Sequence, residues 1–269
     1  MPGVYDALTA KIAEYVGFEA IFQTGYGTSA SLLALPDFGF LSMTETVENA
    51  RRITRAVDIP LIVDVDTGYG NPLTVSKLVN DLQRIGASGI FLEDQVWPKR
   101  CGHMLGKEVI NPQEYVQKLR SAIDAKKKDS DFIIVARTDA MAPLGIEEAI
   151  KRGKLYREIG ADIVFVEAPR SVDDMKEIVA QINAPLVANM IEEGITPNLT
   201  SKELSELGYK IALFPLSGLY SSTFAIFETF KTLKETGTTK TIKDKMIKFK
   251  EFNKLVGLDK YMSMESKYI

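Results

Sequence analysis

Cys101 and His103 are the only cysteine and the only histidine in a chain of 269 residues, and they share the run Lys99-Arg100-Cys101-Gly102-His103. The only tryptophan, Trp97, stands just upstream. A thiol beside two cations is biased toward thiolate, the form that attacks electrophiles. Such a pair suits a nucleophile, a proton donor or a zinc ligand. Zinc needs more cysteine and histidine than this chain contains, which weakens that option. A nucleophile wants a base held by an orienting partner, whereas a general acid needs only access and a tuned pKa. Both stay open on these residues alone.

Carboxylates form the second group. Asp64-Val65-Asp66 ends an apolar run and puts two of them on one side of a strand end, because alternate residues share a face. With Glu93 and Asp37 they make an oxygen-rich set suited to Mg²⁺, which takes few carboxylates and keeps its water. Mn²⁺ fits the same donors. Any one of these acids could instead cap a helix. Arg137 closes another apolar strand, where an unpaired guanidinium is costly. Its partner is either a neighbouring carboxylate such as Glu167 or an anionic substrate. Together with Lys99 and Arg100 it points to a di- or polycarboxylate held by charge-assisted hydrogen bonds.

Gly25-Tyr26-Gly27-Thr28-Ser29-Ala30 competes for attention, since G-x-G-x-x-A after a strand resembles the fingerprint of a nicotinamide-binding oxidoreductase. Pro36 leaves little room for the helix that should follow, and the acidic strand end at Asp64 lies too far on. We read the stretch as a loop whose backbone N–H groups face a substrate carboxylate, glycine allowing close approach.

An alternating pattern must position these groups. Ala7 to Val16 carries apolar residues at helical spacing and stops at Gly17, and Glu19 to Thr24 reads as a strand. Pro60 to Asp66, Gly89 to Asp94, Phe132 to Thr138, Asp162 to Glu167, Pro185 to Asn189 and Lys210 to Pro215 read as further strands. The apolar runs in them are nearly continuous, as expected when both faces are covered. Helices are predicted over Glu45 to Ala56 with Thr44 as cap, Thr74 to Ile85, Pro112 to Lys126, Ile146 to Ile159 and Val172 to Ile182. Another is predicted over Ser201 to Leu207 with Ser201 as cap, then a long one from Ser222 to Glu235 and a lysine-rich helical tail.

Strands alternating with helices mean βαβ units and a parallel sheet. Polar residues end nearly every strand. In a closed (β/α)8 barrel such ends share one mouth, whereas an open doubly wound sheet gathers only those at its switch point. The α/β barrel is therefore the expected fold, with its first strand short or missing. One domain is expected over 1–269, with 222–269 as a C-terminal helical extension.

Composition sets the outer bounds. With 45% hydrophobic and 26% charged residues, the chain can bury a sizeable core. A formal net charge of -3 supplies no electrostatic reason to bind nucleic acid or an anionic membrane. No apolar run approaches the ~20 residues of a spanning helix, and Met1 to Asp6 lacks the pattern of a signal peptide. A lone cysteine excludes an internal disulfide and fits a reducing compartment, so a cytoplasmic location is expected.

The motifs Asp64-Val65-Asp66-Thr67-Gly68-Tyr69-Gly70, Glu93-Asp94-Gln95, Lys99-Arg100-Cys101-Gly102-His103 and Ala136-Arg137-Thr138-Asp139 resemble the isocitrate lyase/phosphoenolpyruvate mutase superfamily. The similarity spans essentially the whole chain. It looks strongest toward the 2-methylisocitrate lyase and petal death protein groups, the latter dialkylmalate lyases and oxaloacetate hydrolases. The phosphonate-forming branch lacks the cysteine signature, so Cys101 points to carbon–carbon cleavage. The resemblance implies a barrel whose last helix is swapped between subunits, in a dimer or a dimer of swapped dimers. It implies Mg²⁺ on Asp64, with Asp66, Glu93 and Asp37 acting mostly through water. Thr24, Gly25, Tyr26 and Gly27 would meet the substrate's 2-hydroxy acid end, and Arg137, Asn189 and Glu167 would bind or orient it. Cys101 would be the general acid, with Lys99, Arg100 and His103 beside it, on a loop from Trp97 to Lys107 that closes over the substrate. An alternative is oxaloacetate hydrolysis or decarboxylation at the same site, for which Cys101 is dispensable. Tyr220 stands where methylisocitrate lyases carry an arginine for a third carboxylate, which favours malate-like substrates.

Overall fold

The computed structural model describes residues 1–103, 106–128 and 130–269. Met104 and Leu105, inside the stretch expected to close over the substrate, lie outside the described residues. Eight strands pair in parallel in chain order: β1 Gly3–Val4, β2 Ile21–Gln23, β3 Leu61–Asp64, β4 Gly89–Glu93, β5 Ile133–Thr138, β6 Ile163–Val166, β7 Leu186–Asn189 and β8 Ile211–Leu213. The missing strand is thus present and only two residues long. It closes the barrel: the Gly3 N–H donates to the Phe214 carbonyl at 2.8 Å, and the Phe214 N–H to the Met1 carbonyl at 3.0 Å. A Cβ on Gly3 would fall 2.2 Å from the Pro215 carbonyl oxygen, so only glycine lets the seam shut.

Helices alternate with the strands: α1 Ala7–Val16, α2 Gly25–Leu33, α3 Met43–Thr54, α4 Pro72–Arg84, α5 Pro112–Asp124, α6 Met141–Leu144, α7 Ile146–Ile159, α8 Val172–Gln181 and α9 Ser201–Leu207. Beyond the barrel come α10 Ser217–Thr236, α11 Phe249–Leu255 and α12 Leu258–Glu265. Two predicted caps move by one or two residues. α3 is capped by Ser42 rather than Thr44, and α9 by Thr200 rather than Ser201. In each, the hydroxyl accepts from the backbone N–H of a glutamate three residues on, and that glutamate's carboxylate accepts the cap's own N–H at 2.8 Å. Reciprocal capping needs this spacing, which Ser42–Glu45 and Thr200–Glu203 provide and Thr44–Val47 and Ser201–Leu204 do not. The glycine-rich stretch expected as a loop is a helix of nine residues, because Thr24 caps it and Ala34 ends it in the left-handed region (φ 53°) before Pro36.

Nearly every strand buries both faces. Inward, Phe22, Ile62, Phe91, Val135, Phe165 and Val187 fill the barrel, with the Phe91 ring 4.7 Å from that of Phe22 and 5.9 Å from that of Phe165. Outward, residues such as Ile90, Leu92 and Ile134 pack under Leu78, Leu119 and Tyr115 of the helices. Burying each such side chain contributes about 1.5–3 kcal/mol. The long extension helix starts earlier than predicted and buries none of its residues, leaving Phe224, Phe227 and Phe230 exposed. Among the described residues, no helix is long and apolar enough to cross a membrane.

Candidate active site

The strand ends converge on one cavity, lined among others by Thr24, Tyr26, Asp64, Cys101, Arg137 and Asn189. Its volume is about 40 Å³, so it fits a small ligand. Asp37 lines it too. Gly25, Gly27, Asp66, Glu93, Lys99, Arg100, His103 and Glu167 are outside this lining. Most of them are buried directly behind it.

Asp64 ends β3, and the chain then turns, since Asp66 has φ 49°. The alternate-face argument therefore does not apply to this pair. Both carboxylates nevertheless face α2: a Cβ on Gly25 would lie 2.8 Å from Asp64 Oδ2 and 3.5 Å from Asp66 Oδ1. The Gly25 N–H donates to Asp64 Oδ2 at 3.2 Å, the Asp66 N–H to Asp64 Oδ1 at 3.1 Å, and the Gly27 N–H to Thr24 Oγ1 at 3.2 Å. Two of the N–H groups expected to meet a substrate are thus engaged within the chain.

Lys99 supplies the cation in the acidic cluster. Its buried ammonium lies 2.6 Å from Asp37 Oδ1 and 2.7 Å from Asp66 Oδ1. Burial alone would lower its pKa, but Asp66, Asp37 and Glu93 outweigh burial and hold it well above the usual lysine range. Burial pushes the Asp66 carboxyl up to about 7, repulsion from Asp64 and Asp37 adding to it while Lys99 opposes.

Arg137 sits over the Phe165 ring at 5.3 Å and is gripped by carboxylates on several sides. It donates through Nε and Nη2 to Asp139 at 2.8 and 3.0 Å, and lies 3.2 Å from Glu167 and 3.4 Å from Glu93. Asp139, part of a quoted motif but not among the expected site residues, is what fixes this guanidinium; its signal is the Arg-x-Asp spacing at the end of β5. Burial would raise the Glu167 carboxyl, but Arg137 and His103 together hold it at about 2. Asn189 donates to Glu167 at 3.2 Å.

The cysteine loop is fixed against this group. His103 Nδ1 accepts the Ile195 N–H at 2.8 Å, which leaves the ring hydrogen on Nε2, 3.2 Å from Glu167 Oε1. A Cβ on Gly102 would meet Arg137 and Glu167 at 2.5 Å, so the loop backbone lies flush on that pair. Burial pushes the Cys101 thiol up to about 11, and Asp37 adds to this against the His103 N–H and Lys99. The thiolate suggested by local sequence is therefore corrected: the group is a protonated thiol at neutral pH. Arg100 stands over Phe38, its guanidinium 5.9 Å from the ring centroid, while its backbone is clasped by the Gln95 side chain. Tyr220 is hydrogen-bonded to Tyr26, and burial pushes it up to about 12.

Among the described residues, no three aspartate, glutamate, cysteine or histidine side chains converge tightly enough to enclose a metal ion. Asp64 lines the cavity, and Glu93 Oε1 and Asn189 Oδ1 are buried without a hydrogen-bond partner. That donor set fits a hard cation which keeps most of its water, and the two unpartnered oxygens are groups a bound ligand would answer.

Comparison with known proteins agrees with this geometry. Residues 1–226 match the family model described as phosphoenolpyruvate phosphomutase. The chain is 49% identical to the petal death protein of Dianthus caryophyllus, covering 100% of this chain and 84% of that one. It is 45% identical to 2,3-dimethylmalate lyase of Eubacterium barkeri (99% and 92% covered) and 43% identical to 2-methylisocitrate lyase of Aeropyrum pernix (97% and 83%). Among solved structures it superposes on oxaloacetate acetylhydrolase with 3,3-difluorooxalacetate at a TM-score of 0.94, with 37% identity over 99% of this chain and 91% of that one. Phosphonopyruvate hydrolase with oxalate and Mg²⁺ matches at 0.89, with 31% identity over 99% and 93%.

Proposed function

The chain belongs to the phosphoenolpyruvate mutase/isocitrate lyase superfamily, and we propose that it is a Mg²⁺-dependent carbon–carbon lyase. Its substrate would be a 2-alkylmalate or 2-methylisocitrate, cleaved to pyruvate or another 2-oxo acid plus a carboxylic acid such as succinate. One observation carries the reading: a protonated thiol, Cys101, shares one small cavity with Asp64 and Arg137.

Arg137 would bind a substrate carboxylate, its orientation fixed by Asp139 and Glu167. Asn189 Oδ1 and the first turn of α2, Thr24 to Gly27, would meet the hydroxy-acid end. The 2-hydroxyl would give its proton to a carboxylate that lines the cavity, Asp37 or Asp64, as the C2–C3 bond breaks, its electrons pass to C3, and C2 becomes the carbonyl of the 2-oxo acid. Cys101 then gives its S–H proton to C3 of the departing enolate-like carboxylate. Lys99, charged between Asp37 and Asp66, would temper the negative charge left on that sulfur, while Arg100 and His103 would hold the loop that carries it. Mg²⁺, held by Asp64 with Asp66, Glu93 and Asp37 acting through water, would supply Lewis-acid stabilisation of the alkoxide and the oxo acid, and Mn²⁺ could serve instead. The loop from Trp97 to Lys107 would exclude water during turnover.

The likeness to oxaloacetate acetylhydrolase favours a second reading, oxaloacetate hydrolysis at the same site without need of Cys101. A nicotinamide-binding oxidoreductase does not fit, because the Asp64 carboxylate occupies the start of α2 where a pyrophosphate would sit. We further propose a homo-oligomer built by exchange of α10, whose exposed Phe224, Phe227 and Phe230 need a cover, and a reducing, cytoplasmic setting for the thiol. The test is incubation with Mg²⁺ and a panel of 2-methylisocitrate, isocitrate, 2,3-dimethylmalate and oxaloacetate, following pyruvate, glyoxylate and oxalate. Release of pyruvate from a branched acid is expected. Turnover of oxaloacetate alone would replace the lyase by the hydrolase.

A further inference from the structure

Lys107 is a buried cation that the mechanism above does not use, only 5% exposed. Burying an ammonium costs several kcal/mol unless it is paired and hydrogen-bonded, so its contacts need a reason. There are two. Its Nζ donates to the Gly102 carbonyl, on the residue after Cys101, and to Asp139 Oδ1 at 2.8 Å.

Asp139 is itself anchored. Its N–H donates to Asp94 Oδ1 at 2.9 Å. Asp94 Oδ2 in turn accepts from Thr138 Oγ1 at 2.8 Å, Arg152 Nη1 at 2.9 Å and the Tyr156 hydroxyl at 2.8 Å. Both aspartates are wholly inaccessible to solvent. The chain of bonds therefore runs from α7 through Asp94 and Asp139 to Lys107, and ends on the peptide that follows the thiol. The same Asp139 also takes two bonds from Arg137, so one rigid carboxylate sets both the anion-binding guanidinium and the cysteine loop.

We infer that Lys107 is a positioning residue for the reaction: by tying the Gly102 carbonyl to Asp139, it fixes the Cys101 thiol in register with Arg137 across the cavity. The inference rests on the lyase reading for its kinetic arm and on geometry alone for its chemical arm. Lys107→Met removes the tie and leaves Asp139 still paired with Arg137, so the ion that remains buried keeps a partner. The loop then loses its fixed distance from Arg137 while the anion pocket survives. Kinetically, kcat should fall at least tenfold with KM within threefold of the wild type. Chemically, Cys101 is the only thiol, so iodoacetamide labelling followed by mass spectrometry reads one site, and its rate should rise at least tenfold. Lys107→Arg keeps the charge opposite Asp139, but its planar fork cannot occupy the ammonium's place between two oxygens. It should shift both readouts in the same direction by at least threefold, which covers the case in which Lys107→Met does not fold. Both readouts must move. A folded variant labelled at the wild-type rate, or one labelled faster with kcat unchanged, overturns the inference. If no acid on the panel is turned over, the lyase reading fails while the labelling rates still judge the tie.

Discussion

Cys101→Ser isolates the step that distinguishes the proposed lyase from its neighbours. Serine keeps the shape of the side chain, so the contacts of the loop with Arg137 and Glu167 stay as they are. What changes is acidity. The half-buried thiol, at about 11, can still release a proton to a carbanion; a serine hydroxyl is a far weaker acid. General acid catalysis contributes about 10²–10⁴-fold, equivalent to about 3–5 kcal/mol in the barrier. The variant should therefore form pyruvate about 10²–10⁴ times more slowly, with KM little altered because Arg137 and Asn189 are untouched. The pH profile supplies the sign. The proton donor is competent below its pKa, so a limb due to Cys101 falls as pH rises through about 11 and adds no loss on the acid side. A thiolate nucleophile would give the opposite slope, its rate climbing with pH toward the same value. The assay is coupled pyruvate detection between pH 6 and pH 11, flanked by circular dichroism to show that the fold is intact. A Cys101→Ser enzyme with the wild-type kcat on a branched acid refutes the general-acid assignment, while retained hydrolysis of oxaloacetate alone is compatible with it.

Removing metal with a chelator should abolish turnover, and adding Mg²⁺ or Mn²⁺ should restore it, followed by the same pyruvate assay. Gly25→Ala would place a Cβ 2.8 Å from Asp64 Oδ2 and push that carboxylate aside; the Mg²⁺ concentration for half-maximal rate should rise at least tenfold, and an unchanged value would count against Asp64 as the metal's holder. Asp94→Asn leaves the buried Arg152 guanidinium facing a neutral amide and should cost about 3–5 kcal/mol. For a chain of this size that lowers Tm by roughly 10 °C in a thermal melt. Phe227→Glu with Phe230→Glu should convert an oligomer to a monomer by light scattering if those exposed side chains of α10 are the subunit contact.

The elements were legible where the deciding interaction is short in sequence. α1 and α7 run over the predicted residues, and glycines at positions 17 and 160 end them in the left-handed region. The strands were legible because helices cover their outer face and side chains fill the barrel, so both periodicity classes collapse into apolar runs. The barrel followed from the polar residues at their ends, and the shortest strand was recovered only through the Gly3–Phe214 seam, which no local pattern announces. Caps were legible in kind and missed in position: a hydroxyl beside the helix start, as at Thr44 and Ser201, is not enough, because the glutamate three residues beyond Ser42 and Thr200 decides.

The site divides along the same physical line. Chemistry-bearing residues stood out by type, and the fold brought Asp64, Cys101, Arg137 and Asn189 to one cavity. Their charge states did not stand out, because these depend on partners far along the chain. Lys99 and Arg100 beside the thiol suggested a thiolate, yet Lys99 spends its charge on Asp37 and Asp66, and Arg100 stands over Phe38. With those cations engaged elsewhere, burial decides, and the thiol keeps its proton. Asp139 was hidden for the same reason: it lies two residues from Arg137 but draws its importance from Lys107, 32 positions away, and from Asp94, 45 positions away. A cluster of charges read from sequence thus tells which groups will meet only after each cation has been assigned its carboxylate. In this site that assignment leaves a reactive-looking cysteine protonated, and Arg137 as the cation that lines the cavity.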